Sequence, residues 1–549
     1  MDPMNWLADR RRLPFLAVPL AGLILIASLS RCGSKGSPGA EDQGAVPGPG
    51  ATAASGAPSS DAQDRIRLPA LAGSWYPAEP IELENQLGLY LDRTGRVETR
   101  ERVLALIAPH AGHVFSGQAA AYAYQALAGR DVRRVIVLGV SHAFPLRGAA
   151  LPDATHFKTP LGLIPVDTRA LAALSGSPLF AVRPEVHERE HSIEIQLPFV
   201  QKVLPEGYAI VPVLFGVLKG EEYAAAAAAL RKLVDDKTVI VASSDFMHYG
   251  ERFNYRPFSK DVPRGIAAFD RKSIDRILSR DPKGFLAAQK QTGNTVCGET
   301  PIAVLLNALP ERARGNLLRY YRSGDITGEW EGSVSYASIL FTDGSAPGEP
   351  AVAVSGSEAE TREADMLGPE EQRQLVTLAR DTVDAFVNKG IVPDPRVLAN
   401  TVKKGLLKTR GVFVTLRRQR ELRGCIGSIV GAAPLYQGVI ENAVNASAND
   451  RRFPPVQPAE LSEVSVEVSV LGPLRAVSGP DQILVGWHGV LLTKGDRQAV
   501  FLPQVPLEFG WTRDQMLSQL SRKAGLEEDG WRSGATYQVF EAQIIPEGI

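Results

Sequence analysis

Three short apolar runs constrain this chain more than any other feature. Val103-Leu-Ala-Leu-Ile107, Val135-Ile-Val-Leu-Gly139 and Val239-Ile-Val-Ala242 each read as a buried strand. Each is followed by polar chemistry: Pro109-His110 after the first, Ser141-His142 after the second, Ser243-Ser-Asp245-Phe-Met-His248 after the third. Helical patterns lie between them. Ser116 to Leu127 is one, with Gly129 as its stop; Ser192 to Leu204 carries a stripe of Ile193, Leu197, Val200 and Leu204; Glu221 to Val234 is Ala-rich. Alternation of this kind predicts an α/β fold, a largely parallel sheet sandwiched by helices. Such sheets place their sites outside the carboxyl ends of the strands. No G-x-G-x-x-G or P-loop follows any of the runs, so nucleotide binding has no support.

Composition divides the 549 residues. Residues 1–32 read as a signal peptide or membrane anchor: Arg10-Arg11-Arg12 precede an apolar run from Leu13 to Ser30. Leu29-Ser30-Arg31-Cys32 resembles a lipobox, with Arg31 where a small residue is usual, which makes Cys32 a candidate lipidation site. The expectation is a bacterial protein exported to the periplasmic side or held at the membrane, as an uncleaved anchor, a cleaved precursor or a lipoprotein. Residues 33–66 are rich in Gly, Ser, Ala and Pro and read as a disordered linker. The first domain spans 67–343, a second linker 344–365, and a smaller, separate α+β domain 366–549. In that domain Pro369 to Gly390 reads as a helix, Val464 to Val470 as a half-buried strand of period two, and Thr512 and Gln515 as a capping box opening a last helix. A net charge of −1 argues against nucleic acid, because no basic excess is present to neutralise phosphates.

Six of the eight histidines fall in the first domain's strand-end and helix-start segments: His110, His113, His142, His187, His191 and His248. Cys297, one of three cysteines, precedes a helical pattern from Thr300 to Leu309, where the helix dipole favours a thiolate. Two imidazoles and a thiolate make a three-ligand metal site with open positions. A blue-copper loop and a cysteine-protease dyad are alternatives, and neither has a local signature here.

Leu71-Ala-Gly-Ser-Trp-Tyr76, Ile107-Ala-Pro-His-Ala-Gly112, Gly139-Val-Ser-His142, Glu190-His-Ser-Ile-Glu194, Ser243-Ser-Asp-Phe-Met-His248 and Asn294-Thr-Val-Cys-Gly298 resemble the Memo family, in the family's order. The resemblance implies a fold like that of the LigB-type class III extradiol dioxygenases, and a metal, iron(II) or copper, held by His110, His142 and Cys297. The dioxygenases carry a carboxylate where Cys297 stands, so ring cleavage does not carry over directly. His191 and His248 match further positions lining the cleft, as orienting groups or as general acids and bases titrating near neutrality. Asp245 is expected to fix a ligand tautomer through its carboxylate, and Glu190 and Glu194 to be helix-start charges.

In the second domain Leu422-Arg-Gly-Cys-Ile-Gly427, Ala448-Asn-Asp-Arg-Arg-Phe-Pro-Pro455 and Phe501-Leu-Pro-Gln-Val505 resemble the AMMECR family. Cys425 lies between two glycines that allow close backbone approach and is a candidate nucleophile or a small buried residue. Memo and AMMECR domains occur together with a radical-SAM protein in the AmmeMemoRadiSam grouping, which implies such a partner; this chain has no C-x₃-C-x₂-C motif of its own. The expected function is a metal-dependent redox or oxygenase-like protein acting on a small molecule or peptide. The alternative is a non-catalytic scaffold using the old cleft for a peptide or protein.

Overall fold

The computed structural model describes residues 64–344, 352–355 and 366–548. The segment read as a signal or anchor, and the tether behind it up to residue 63, lie outside them. Among the described residues no helix is long and apolar enough to cross a membrane.

The first domain is organised by one eight-stranded sheet. Its strands are β1 (Val103–Ala108), β2 (Arg134–Val140), β3 (Ala149–Leu151), β4 (Phe180–Val182), β5 (Ala209–Phe215), β6 (Thr238–Ser243), β7 (Arg314–Arg322) and β8 (Ser335–Thr342). Their order across the sheet is β7-β8-β1-β6-β2-β5-β3-β4. The central four, β1, β6, β2 and β5, are parallel, and β8 and β7 extend the β1 edge antiparallel. Every residue of β1 and β6 is buried, as strands covered on both faces must be. Helix α1 (Pro80–Thr94) packs on α2 (His113–Gln125), and α2 packs on β1, β7 and β8.

Two expectations change in detail. Helix α2 starts at His113, three residues earlier than the sequence pattern suggests, with Gly112 as its N-cap and no capping side chain to mark it. The stripe from Ser192 to Leu204 is two helices, α3 (His191–Glu194) and α4 (Leu197–Val203). Pro198 has no N–H to donate to the Glu194 carbonyl, and its position in the first turn of α4 suits a new helix start. Further on, α5 (Glu222–Arg231) packs on α6 (Glu299–Ala308). Short described stretches inside both linker ranges pair with the first domain. Ile66–Arg67 pairs in parallel with His156 and Phe157, and Ala353–Ser355 pairs with Arg96–Glu98.

The second domain holds two four-stranded sheets. Strands β9 (Val412–Arg418), β10 (Glu421–Ser428), β11 (Val464–Leu471), β12 (Arg475–Val477), β13 (Gly489–Lys494), β14 (Arg497–Phe501), β15 (Thr536–Phe540) and β16 (Ala542–Pro546) arrange as β10-β9-β11-β16 and β12-β15-β13-β14. Helices α7 (Pro369–Lys389) and α8 (Leu435–Ala448) cover the apolar face of the first sheet, and α9 (Arg513–Lys523) packs on β14. Gly390, at φ 65°, ends α7, and the Thr512–Gln515 capping box opens α9, both as expected. Strand β11 is not half-buried: Glu467 and Ser469 are buried along with its valines. Its second face is covered by Gln504 and by the first domain, whose Gly328 lies against Glu467. The two domains touch, and Leu484 and Trp487 of the second join the apolar core of the first.

Candidate metal centre

His110 follows the end of β1, His142 follows β2, and Cys297 precedes the N-cap of α6, so three distant segments meet at the carboxyl edge of the parallel strands. One ligating atom from each lies within 4.8 Å of the others. His110 Nε2 is 2.9 Å from Cys297 Sγ, and the His110 and His142 rings meet edge to face at 5.2 Å. His110 is buried, whereas His142 keeps a third of its side chain exposed, so the mouth of the site is at His142.

The hydrogen bonds settle which nitrogens face inward. Ser243 Oγ donates to the Ser192 carbonyl (2.5 Å) and accepts from Gln196 Nε2 (2.8 Å). Its one proton is committed, so its remaining lone pair accepts from His110 Nδ1 at 3.0 Å. His110 Nε2 is therefore the bare nitrogen beside the sulfur. His142 Nδ1 donates to Glu190 Oε1 at 2.9 Å, which leaves its Nε2 bare as well. Glu190 also accepts from the backbone N–H groups of His142, His191 and Ser192. Burial opposes its charge, but these bonds and the neighbouring imidazoles bring its carboxyl down to about 2. It is both the N-cap of α3 and the group that orients His142, a role a helix-start reading misses. Glycine makes the approach possible: a Cβ at Gly139, on β2, would sit 2.6 Å from Ser192 Oγ and 2.8 Å from Ile193 Cγ1.

The other candidates divide. His191 stacks on His142 at 4.2 Å and carries Trp75 against it at 4.7 Å. His248 Nδ1 faces the carbonyls of Phe246 and Thr295 at 2.9 and 3.0 Å, which makes it a donor there and Nε2 the basic nitrogen. Neither titrates near neutrality: burial pushes each down to about 4, so both are neutral bases at pH 7. The Asp245 carboxylate reaches no imidazole. It accepts from the backbone N–H of His110 (2.7 Å) and Ala111 (3.3 Å), so it positions the loop rather than a tautomer, and burial raises it to about 7. Burial also drives the Cys297 thiol well above its ordinary value, the reverse of the helix-dipole expectation. His113 and His187 are buried structural residues, facing the Ile195 and Ala150 carbonyls.

Glu194 is fully buried and anchors the segment that carries Trp75. It pairs with Arg67 and accepts from Ala70 N (2.9 Å), Leu71 N (2.8 Å) and the Tyr76 hydroxyl (2.6 Å). In the second domain Cys425 lies on β10 beside Thr415 Oγ1 at 3.3 Å, and burial raises its thiol. Gly424 and Gly427 are there for packing: a Cβ would meet the Ala446 carbonyl at 2.2 Å or the Phe413 ring at 2.2 Å. Among the described residues, no trio of metal-ligating side chains includes Cys425.

What fold and cluster define is an α/β protein with an open imidazole–thiol site at the carboxyl edge of a parallel sheet. A family model described as Memo-like protein matches residues 67–340, and one described as AMMECR1 matches 376–545. Protein MEMO1 of Danio rerio is 35% identical across 49% of this chain and 94% of its own length. A MEMO1 family protein of Thermococcus kodakarensis is 34% identical across 50% and 99%. A crystal structure of an uncharacterized protein from Pyrococcus horikoshii is 34% identical over 32% of this chain and 92% of its own, with a TM-score of 0.30. The chain belongs to the Memo family, and it carries an AMMECR1 domain behind the Memo-like one.

Proposed function

We propose that the Memo-like domain binds a redox-active metal ion, iron(II) with copper as second candidate, at His110, His142 and Cys297, and acts on a small molecule or peptide at the His142 mouth. One observation carries the proposal: three donors suited to such a metal converge within 4.8 Å, and the far nitrogens of both imidazoles are already committed to Ser243 and Glu190. That is the pattern by which proteins preset histidine ligands. An ion held by three protein ligands would supply Lewis-acid and one-electron redox chemistry at its open positions. Around it the chain's own groups have defined work. His191 and His248, uncharged at pH 7, can each accept a proton, and Trp75 shields His191. Cys297 must lose its proton to ligate, so uptake depends on pH.

Metal analysis of protein purified and loaded anaerobically with ferrous iron tests this. One equivalent is expected in the wild type and loss in His110→Ala and Cys297→Ser, while Glu190→Gln weakens binding about 10- to 100-fold. Wild type that takes up no iron or copper sinks the proposal and returns the cleft to the scaffold reading, in which a captured partner would bind His142→Ala equally well.

A further inference from the structure

Helix α2 starts immediately after the loop that presents His110, and its first turn is held in an unusual way. Three consecutive carbonyls there each accept a hydrogen bond from an aromatic side chain. The Tyr90 hydroxyl donates to His113 O (2.8 Å), the Trp487 indole Nε1 to Val114 O (3.1 Å), and the Tyr321 hydroxyl to Phe115 O (2.6 Å). Tyr90 and Tyr321 belong to the Memo-like domain, whereas Trp487 comes from the AMMECR1 domain. Its ring meets Tyr321 edge to face at 5.5 Å and is 7% exposed. The same turn is tied back to the ligand loop, since Ser116 Oγ donates to Ala111 O at 2.7 Å and His113 N donates to Trp75 O at 2.9 Å.

Polar groups fix the docking around this anchor. Arg93 of α1 pairs with Glu541, lies 5.1 Å from the centre of the Trp487 ring, and donates through Nε to Gln118 of α2 at 2.9 Å. Arg513 and Glu82 form a second ion pair across the boundary at 3.8 Å. A Cβ at Gly486 would press to 3.1 Å from Val114, so the turn before Trp487 is shaped to the helix. A buried indole, a charge pair and shape fit on one patch are the marks of a specific interface.

We propose that the AMMECR1 domain is a clamp on helix α2, and that the face formed by Arg93, Val114, Gln118 and Tyr321 binds an AMMECR1 domain whether or not a linker joins the two. The consequence for metal holding rests on His110 being a ligand; the association does not.

A protease site inserted between residues 356 and 365 of the full chain separates the two claims. After cleavage the halves are expected to co-elute at micromolar concentration, and to part when Trp487→Ala or Glu541→Ala is present. Halves of the wild type that part on cleavage overturn the clamp. In the uncleaved chain Trp487→Phe keeps an aromatic side chain but removes the five-membered ring that carries the N–H donated to Val114 O. Hydrogen exchange of the peptide spanning residues 110–119 is expected to quicken at least threefold, with circular dichroism unchanged. Ferrous iron affinity is expected to fall severalfold. Unchanged exchange overturns the coupling to α2. A wild type that binds no iron, yet whose cleaved halves stay together, sinks the metal reading and leaves the clamp standing.

Discussion

Cys297 and Cys425 sit in the two domains of one chain, and the contrast between them is informative. Both thiols are pushed up by burial, so thiol chemistry alone does not separate them. Their surroundings do. Cys297 faces a bare imidazole nitrogen, and a second imidazole opens to solvent beside it. Cys425 faces Thr415 on the neighbouring strand, its N–H is taken by Asp450 at 2.9 Å, and its carbonyl by Arg452 at 3.0 Å. The first neighbourhood has donors left over for an incoming group; the second spends its hydrogen bonds on itself. Proximity of polar side chains therefore marks a site only where some of them remain uncommitted.

The most severe way to disturb the first neighbourhood is Glu194→Ala. It strands buried Arg67 and removes the acceptor for two backbone N–H groups and a tyrosine hydroxyl. A loss of about 3–5 kcal/mol is expected in denaturant unfolding of the first domain, because one half of a buried ion pair is left without its partner. The same substitution frees Trp75 to move, which its fluorescence would report.

The polar face of the second domain has a different weakness. Burial raises Glu467 to about 7, with Arg417 opposing the rise and Glu508 and Glu329 adding to it, while Gln504 lies 3.4 Å away. A carboxyl whose folded value exceeds its unfolded one stabilises the protein fully below the unfolded value, and that stability is lost as pH rises through the folded value. Between about pH 4.5 and 7 the wild type should thus lose up to about 3 kcal/mol relative to Glu467→Gln. Thermal unfolding of both proteins across that range checks it. A difference that grows on acidification instead would show that Glu467 is held charged.

Cys425→Ser is the mildest test and the one most able to break the comparison. Iron content should match wild type and stability should change by about 1 kcal/mol or less. Loss of metal on this substitution would join the two cysteines in one function.

Much of the fold was legible because parallel strands buried on both faces leave continuous apolar runs, and because their ends mark the site. His110 and His142 are found that way. Cys297 is not at a strand end, and only its motif and the helix behind it single it out. Glu190 escaped because an acid before a helix reads as a cap; it is one, but its contact with His142, 48 residues away, leaves no mark in the spacing. The neutrality of His191 and His248 was also hidden, since it follows from burial and not from residue type. The buried face of β11 looked solvent-exposed because alternation reports one sheet and not what packs upon it. Trp487 carries no signal at all until its partner helix is known.

The approach of α3 to β2 depends on an atom that is missing. With any side chain at residue 139, Ser192 and Ile193 would have to retreat, and Glu190 would retreat with them. The orientation of the His142 ring therefore depends on a steric gap as well as on its hydrogen bond to Glu190. A single added methyl group, at a position that touches no ligand, would detune the centre from behind the sheet.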